Sequence, residues 1–297
     1  MADTASLFRV DGMVAVVTGG GTGIGLIMAK ALISGGASKV YILGRRKEIL
    51  DSVAAENKSL IPVACDVTSK DSLQSAVDTI AQDSGYVNLV VANSGILGPT
   101  ARMNHDLPLK ELRRTMFEEI SMEHFTETFS VNVTGAYFTM LAFLELLDAG
   151  NKNALKGGFG APANGGNVPS IQSQVVFTSS IGAYSRDRVS MPAYSGSKSA
   201  LSHLAKHAST NLSKYEIRVN VLAPGVFPSE LSSLMMASRD PSKEPHSDIN
   251  YIPGRRFGGS EEMSGTILYL ASRAGSYCNG LALVYDGGRL AVMHSEY

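Results

Sequence analysis

A tyrosine and a lysine, Tyr194 and Lys198, lie four residues apart in the segment YSGSK. On a helix these positions lie one above the other on the same face, so the phenol and the ammonium would share one environment. The ordinary pKa of a tyrosine is about 10, and a nearby ammonium lowers it by stabilising the phenolate. The pair could therefore exchange a proton with a substrate oxygen, whereas the simpler interpretation is a packed ring beside a solvated amine.

Hydroxyl and amide side chains at two other places could join this pair. Ser179 and Ser180 follow an apolar strand, and Asn132 stands in SVNVTGAY at the start of a helical pattern. Reduction of a carbonyl places negative charge on its oxygen, so such a site needs a proton donor and a second hydrogen bond. Taken singly, the serines are better explained by turn chemistry and the asparagine by a helix cap.

A glycine-rich turn, TGGGTGIG, separates the first predicted strand from the first predicted helix. Glycines allow positive φ and close approach of the backbone, and free N–H groups at a helix start can bind a pyrophosphate. The turn has neither the Gly-x-x-x-x-Gly-Lys-Ser/Thr run of nucleotide-hydrolysing loops nor the Gly-x-Gly-x-x-Gly spacing, and a purely structural turn is the alternative. The predicted dinucleotide contacts in this loop are Gly19, Gly21, Thr22, Gly23, Ile24 and Gly25.

Two arginines, Arg45 and Arg46, end the second predicted strand, where an acidic residue would bind the adenosine ribose of NAD(H). Guanidinium groups at this place would instead attract the 2′-phosphate of NADP(H). The sequence therefore predicts NADP(H) as the cofactor, and two solvated arginines are the alternative.

Short apolar strands alternate with helical patterns along the chain, which is typical of a parallel sheet covered on both faces. We predict one domain over residues 1–297, of α/β class: a Rossmann-type, doubly wound sheet of seven parallel strands with about six helices. Inserted segments are predicted at about 97–120, 149–171 and 226–256. The first and third follow strand ends and are placed to shape a ligand cleft, whereas the second, rich in Gly, Asn and Pro, is predicted to be a surface excursion.

Composition excludes several classes of protein. The chain has 297 residues, 44% apolar and 18% charged, and its formal charge of −1 offers no field that would attract nucleic acid or an anionic membrane. The two cysteines, Cys65 and Cys278, favour a reducing compartment. We expect a cytoplasmic location, because the MADTAS start lacks the pattern of a signal peptide and no apolar run is long enough for a membrane span. His203 and His207 have the spacing of metal ligands but no recognisable third ligand, so no metal is predicted.

Together these motifs resemble the short-chain dehydrogenase/reductase family, in its Tyr-x-x-x-Lys branch, over nearly the whole chain. The glycine loop matches the TGxxxGxG pattern of the family, and the resemblance implies further dinucleotide contacts at Asp66, Val67, Asn93, Ser94, Gly95, Pro224, Gly225, Phe227 and Ser229. It implies a catalytic tetrad of Asn132, Ser180, Tyr194 and Lys198. Two departures are a serine-to-tyrosine interval one residue longer than the commonest spacing and Ser229 where the family usually has threonine.

The resemblance also implies roles for these residues. Tyr194 would be the acid in reduction and the base in oxidation, Lys198 would tune it and hold the nicotinamide ribose, Ser180 would bind the substrate oxygen, and Asn132 would hold a water of a proton relay. The expected protein is an NADPH-dependent carbonyl reductase acting on a small-molecule ketone, aldehyde or alcohol.

Several alternatives remain at this point. One is an enzyme acting on a 3-oxoacyl group carried by acyl carrier protein, for which a basic rim of Arg102, Arg113, Arg114 and Arg255 would speak. Another is a catalytically silent dinucleotide-binding protein. Met235 and Met236 would form an apolar lid or simply pack. A homo-oligomer, dimer or tetramer, is expected from the family through the helices that carry Asn132 and Tyr194.

Overall fold

A parallel sheet of seven strands forms the centre of the computed structural model, which describes residues 4–163 and 166–297. Half of the MADTAS start and two residues of the predicted insertion at 149–171 lie outside the described residues. The strands are β1 (Val14–Thr18), β2 (Lys39–Gly44), β3 (Leu60–Ala64), β4 (Leu89–Ala92), β5 (Gln174–Thr178), β6 (Arg218–Pro224) and β7 (Ala282–Tyr285). Their order, β3-β2-β1-β4-β5-β6-β7, confirms the predicted Rossmann-type fold.

Every residue of β1, β4, β5 and β6 is buried, which explains why the sequences of these strands are mostly apolar. The chain runs outward in one direction from β1 to β3 and then crosses back to β4 on the other side of β1. Such a reversal opens a crevice beyond the carboxyl ends of the strands, where open α/β sheets bind ligands.

The helices cover both faces of this sheet. One face is covered by α1 (Gly23–Ser34), α2 (Lys47–Ala54) and α10 (Ser260–Ala271), and the other by α3 (Lys70–Asp83), α6 (Ala136–Ala142), α7 (Leu144–Ala154) and α8 (Pro192–Leu212). The remaining helices are α4 (Leu109–Arg113), α5 (Met122–Phe129) and α9 (Ser233–Ala237). No single helix of the described ranges is both long and apolar enough to cross a membrane; the segments 122–142 and 144–154 pass that test only as a pair bent by 45°.

The predicted long helical segment at 124–147 is interrupted in two places. A π-helical turn at Ser130–Gly135 joins α5 to α6, and the chain bends at Phe143 before α7. Asn132 therefore lies in the π-helical turn between two helices and not at a helix start. Single π-helical turns within α-helices occur frequently at functional sites.

The three predicted insertions differ in structure. The first contains α4 and a π-helical turn, and the third contains α9. The beginning of the second is helical, because α7 continues to Ala154. Asn151 anchors that last turn: its amide accepts from Ser173 N at 2.7 Å and donates to Glu216 O at 2.9 Å. The predicted surface excursion thus begins several residues later than the sequence indicated.

Candidate active site

A cavity of about 610 Å³ lies beyond the carboxyl ends of the central strands. It is lined by every predicted dinucleotide contact and by three members of the predicted tetrad, Ser180, Tyr194 and Lys198. Asn132 is absent from the lining. The third inserted segment contributes several lining residues and the first contributes Leu97, whereas the described part of the second contributes none.

The glycine loop has the geometry of a pyrophosphate cradle. Gly19 and Gly23 have φ of +64° and +53°, a region that favours glycine. A Cβ on Gly25 would lie 2.2 Å from Gly19 O, so any residue larger than glycine at position 25 would collide with the backbone of the loop. Thr22 precedes α1 in an extended conformation, and its side chain does not cap the first turn. The N–H groups at the start of α1 are therefore available to an anionic ligand.

Thr18 and Asn93 tie this loop to the end of β4. Thr18 Oγ1 accepts from the backbone N–H groups of Asn93 at 2.9 Å and Ser94 at 3.0 Å, and Asn93 Nδ2 donates to Thr18 O at 3.0 Å. Asn93 is one of the lining residues, and its Oδ1 is buried and has no hydrogen-bond partner within the described residues. This unpaired acceptor and the glycine cradle both fit a bound dinucleotide. Thr18 begins the TGG motif, and its role in holding the loop to β4 could not be recognised from the local sequence.

Charged side chains surround the cavity where β2 and β3 end. Asp66 Oδ1 accepts from Thr68 Oγ1 at 2.7 Å and from Thr68 N at 2.9 Å, and these bonds, with the nearby charge of Arg45, lower the pKa of Asp66. Arg46 forms an ion pair with Glu230 at 2.9 Å, and both side chains are more than half exposed. Arg45 is exposed and has no ion pair among the described residues. One of the two arginines is thus free to receive a phosphate, and the other is held by the third insertion.

Tyr194 and Lys198 both face the cavity from the first turns of α8, as the spacing predicted. Lys198 is only 3% exposed; its Nζ donates to Thr178 O at 2.8 Å and lies 5.8 Å from the centroid of the Tyr194 ring. Burial lowers the pKa of Lys198 to about 8. Burial also raises the pKa of the Tyr194 phenol, and the hydrogen bond from Ser180 offsets this only in part. The side chains alone therefore do not produce the lowered tyrosine pKa expected from the sequence, because desolvation outweighs the effect of Ser180.

The two candidate serines have different surroundings. Ser179 is buried, and its hydroxyl donates to Lys198 O at 3.0 Å and contacts Ser202 Oγ at 2.7 Å. Ser180 Oγ accepts from Gly182 N at 3.0 Å, and this hydroxyl partly offsets the rise in the pKa of the Tyr194 phenol. Ser179 thus links strand β5 to α8, whereas Ser180 is the serine that acts on the Tyr194 phenol.

The side chain of Asn132 is fully engaged inside the protein. It is 0% exposed; Oδ1 accepts from Ile96 N at 2.8 Å, and Nδ2 donates to Ile96 O at 2.9 Å and to Ser197 Oγ at 3.0 Å. Ser197 in turn donates to Tyr194 O at 2.7 Å. The amide thus links the segment after β4 to α8, and any contact of this residue with a relay water would have to come from its backbone.

The loop after β6 contributes to the cavity lining and lies next to the glycine loop, where a Cβ on Gly23 would be 3.0 Å from Ser229 Cβ. Phe227 is buried and stacks on Tyr285 with ring centroids 6.1 Å apart. Ser229 Oγ lies 3.0 Å from Ser232 Oγ, so the hydroxyl at this position is already engaged within the loop. Met235 lines the cavity, whereas Met236 packs against Ser232 Oγ at 3.5 Å. Sequence reasoning named Ser229 but missed Ser232, since nothing in the local pattern marks the second serine as the one that fixes the loop.

No cluster of three or more His, Cys, Asp or Glu side chains suited to a metal ion occurs in the part of the chain that the structure describes. Cys65 is buried and Cys278 partly buried, and both are free thiols.

Comparison with known proteins agrees with this architecture. Residues 13–155 match the family model described as short chain dehydrogenase, and residues 163–289 match one described as enoyl-(acyl carrier protein) reductase. The short-chain dehydrogenase/reductase SAT3 of Stachybotrys chartarum is 71% identical over 271 residues, which cover 91% of this chain and 100% of that protein. The chain belongs to the short-chain dehydrogenase/reductase family.

Other members of the short-chain dehydrogenase/reductase family are more distant. A gluconate 5-dehydrogenase of Gluconobacter oxydans is 30% identical over 288 residues, covering 95% of this chain and 96% of that protein. A Pseudomonas aeruginosa structure, described as an RhlG/NADP active-site complex, superimposes with a TM-score of 0.75 at 25% identity, covering 95% of this chain and 98% of that one. As a member of this family, the chain is an oxidoreductase that binds a nicotinamide dinucleotide and acts on a CH–OH group or the matching carbonyl.

Proposed function

We propose that this chain is an NADPH-dependent carbonyl reductase that interconverts a ketone or aldehyde and its alcohol. The observation that carries the proposal is that Ser180, Tyr194 and Lys198 line the same cavity as the glycine cradle. When bound, the nicotinamide supplies the hydride that adds to the carbonyl carbon. The catalytically silent alternative would be expected to lack one of these side chains.

Each catalytic residue has a distinct task in this reaction. Tyr194 gives its phenolic proton to the carbonyl oxygen in reduction and takes it back in oxidation. Ser180 donates a hydrogen bond to the same oxygen, and Lys198 stabilises the phenolate that remains and holds the nicotinamide ribose. Asn132 positions α8 against the segment after β4 through the Ile96 and Ser197 contacts.

The preference for NADPH over NADH is supported by the charges beyond β2. Arg45 is unpaired among the described residues, and no acidic side chain follows β2 in the position that would bind an adenosine ribose and repel a phosphate. A guanidinium forms strong, charge-assisted hydrogen bonds to phosphate oxygens.

The proposed reaction is tested with a panel of ketones and alcohols, followed by NADPH absorbance, for the wild type and Tyr194→Phe. We expect the substitution to lower turnover by roughly 10²-fold or more, the scale of a positioned acid–base group, with unchanged cofactor binding. Tyr215→Phe, at a tyrosine that is 53% exposed and outside the cavity, serves as the control. Near-normal turnover in Tyr194→Phe would contradict the proposed proton transfer by the phenol.

The alternative substrate, a 3-oxoacyl group on a carrier protein, has weaker support in the structure than in the sequence. Arg113 pairs with Glu118 at 2.6 Å, and Arg114 pairs with Glu111 at 2.9 Å and also with Glu119. Arg255 donates to the backbone carbonyls of Ser242 and Glu244. Among the described residues Arg102 has no partner and Arg255 bonds only backbone carbonyls, so carboxylates neutralise two of the four arginines of the suggested basic rim.

We further propose a single domain with the three insertions, a cytoplasmic location and a homo-oligomer, either a dimer or a homotetramer. Two exposed apolar side chains of α5, Met122 and Phe125, support association through the helices that lead into the Asn132 turn. Light scattering of the purified protein should give a mass of two or four chains; a monomer at micromolar concentration would contradict this part of the proposal.

A further inference from the structure

The cavity is apolar around its catalytic groups. Gly95, whose Cβ position lies 3.4 Å from Lys198 Nζ, leads directly into Ile96 and Leu97. The other apolar lining residues next to catalytic or nicotinamide-side positions are Ile181 after Ser180, Met191 at the cap of the helix that carries Tyr194, and Val226 after Gly225. The third insertion adds Leu231 and Met235 to the cavity lining. We call the apolar residues beside the catalytic and nicotinamide-side positions the apolar end: Ile96, Leu97, Ile181, Met191 and Val226.

The charged side chains that line the cavity are placed elsewhere or already engaged. Arg45, Arg46 and Asp66 follow β2 and β3, and Glu230 is bound to Arg46, so these four belong to the end of the cavity distant from Tyr194. The remaining charge, Lys198, has its ammonium bonded to Thr178 O beneath the tyrosine. The lining thus offers no free cation that could pair with an anionic group of a substrate at the apolar end.

Two further arginines lie on the segment between Ser180 and Met191, but neither lines the cavity. Arg186 Nη2 donates to Ser295 O at 3.3 Å, where the C-terminal residues pair with this segment. Arg188 is exposed to solvent. Carboxylate recognition usually needs a guanidinium or ammonium in direct contact, and none of the described residues at the apolar end carries either group.

We propose that the substrate presents an uncharged, mainly apolar body to the apolar end, and that sugar acids and other carboxylates are excluded. This inference rests on the proposed carbonyl reduction and names its substrate class. Transfer of a carboxylate from water into an apolar site without a partner is strongly unfavourable. The chain would therefore differ in substrate class from its relative named gluconate 5-dehydrogenase, although the two share fold and family.

The methionines indicate how such a body is accommodated. Met191 and Met235 come from segments that follow different strands, and unbranched thioether side chains adapt to irregular apolar shapes. Met235 is 36% exposed and Leu231 is 43% exposed, so apolar surface at the rim remains in contact with water until a ligand covers it. A ring-containing ketone would bury this surface, whereas a small polyol would not.

The test compares two ketones that differ in one charge: methyl 4-oxocyclohexanecarboxylate and 4-oxocyclohexanecarboxylate. With NADPH we expect kcat/KM for the ester to exceed that for the acid by roughly 100-fold, since the carboxylate has no partner. Leu97→Lys places an ammonium in the apolar end and should raise kcat/KM for the acid relative to the ester by about 10-fold or more. Thr100→Lys, three residues further on, exposed and outside the lining, is the matched control and should leave the ratio unchanged.

The possible outcomes separate this inference from the reaction itself. Equal or better use of the acid by the wild type overturns the apolar substrate class while carbonyl reduction stands. The apolar substrate class is also overturned if the ratio of kcat/KM for the acid to that for the ester is unchanged in both Leu97→Lys and Met191→Lys, with both variants folded by circular dichroism. If no ketone is reduced with either cofactor, the proposed reaction fails. Saturation-transfer NMR of the two ketones on the NADP⁺ complex then measures the binding preference independently of the reaction. Binding of the ester alone supports the apolar substrate class, and equal binding of ester and acid overturns it.

Discussion

The two ends of the cavity hold their charges in opposite environments. Where β2 and β3 end, the Arg46–Glu230 pair is more than half exposed on both sides, and its groups exchange partners readily in water. Beside Tyr194, the Lys198 side chain is 3% exposed and bonded to a backbone carbonyl. The exposed end can select a ligand by charge at little cost to stability, whereas the buried end uses desolvation to shift the pKa values of its own groups.

This difference explains why the tyrosine is not activated by the protein alone. Burial raises the pKa of the Tyr194 phenol while it lowers that of the Lys198 ammonium to about 8. Both shifts favour the uncharged forms, as desolvation requires. The reaction then depends on a second hydrogen bond, from Ser180, and on groups that arrive with the ligands.

The largest effect that would sharpen the comparison concerns the pH dependence of stability at the buried end. Between a folded pKa of about 8 and the ordinary value of 10.5 for Lys198, the unfolded chain holds one proton more than the folded chain. The free energy of unfolding of the ligand-free wild type should therefore rise with pH relative to Lys198→Met, by about 2–3 kcal/mol from pH 7.5 to 10. Urea denaturation across this range measures the difference.

Lys206→Met, at an exposed lysine of the same helix, provides the control and should show no such gain. The raised pKa of Tyr194 is common to wild type and variants, so it cancels in the comparison. A difference between wild type and Lys198→Met that stays flat with pH would mean that the buried amine is not desolvated.

An intermediate effect is expected at the exposed end. Arg45→Asp replaces the unpaired guanidinium with a carboxylate that can bind ribose hydroxyls and repel a phosphate. We expect the ratio of kcat/KM for NADPH to that for NADH to fall by roughly 10-fold or more, since charge-assisted bonds are worth about 1.5–3 kcal/mol. Steady-state kinetics with both cofactors give the ratio, and Lys47→Asp, at an exposed neighbour outside the cavity, tests for a general charge effect. A wild-type preference for NADH would defeat the assignment.

The smallest effect is expected from the ion pair that closes the loop after β6. Glu230→Gln frees Arg46 from its partner, so a phosphate no longer competes with a carboxylate for that guanidinium. The KM for NADPH should fall by about two- to fivefold, within the range of an exposed pair worth roughly 1 kcal/mol or less, while the KM for NADH stays constant. A change of equal size for both cofactors would show that the residue acts on loop closure and not on the phosphate.

Local patterns were sufficient for much of the fold and of the cofactor end. The glycine loop, the seven strands and the helical spacing of Tyr194 and Lys198 depend on short-range periodicity and on backbone conformations that few residues allow. The same patterns placed the second insertion too early, because the Asn151 amide that holds the last turn of α7 bonds to Ser173 and Glu216, which are distant in sequence.

The sequence by itself determined that this is a doubly wound α/β oxidoreductase in which Tyr194 and Lys198 share one helix face, because these properties depend on runs of neighbouring residues. Only the tertiary structure decided that the Asn132 side chain is hydrogen-bonded to Ile96 and Ser197 and that Glu230 forms an ion pair with Arg46. It also decided that apolar side chains from several segments meet beside Tyr194 while the arginines of the suggested basic rim are mostly paired. Burial and pairing between distant segments depend on the path of the whole chain, and they set both the pKa shifts and the chemical character of the cavity.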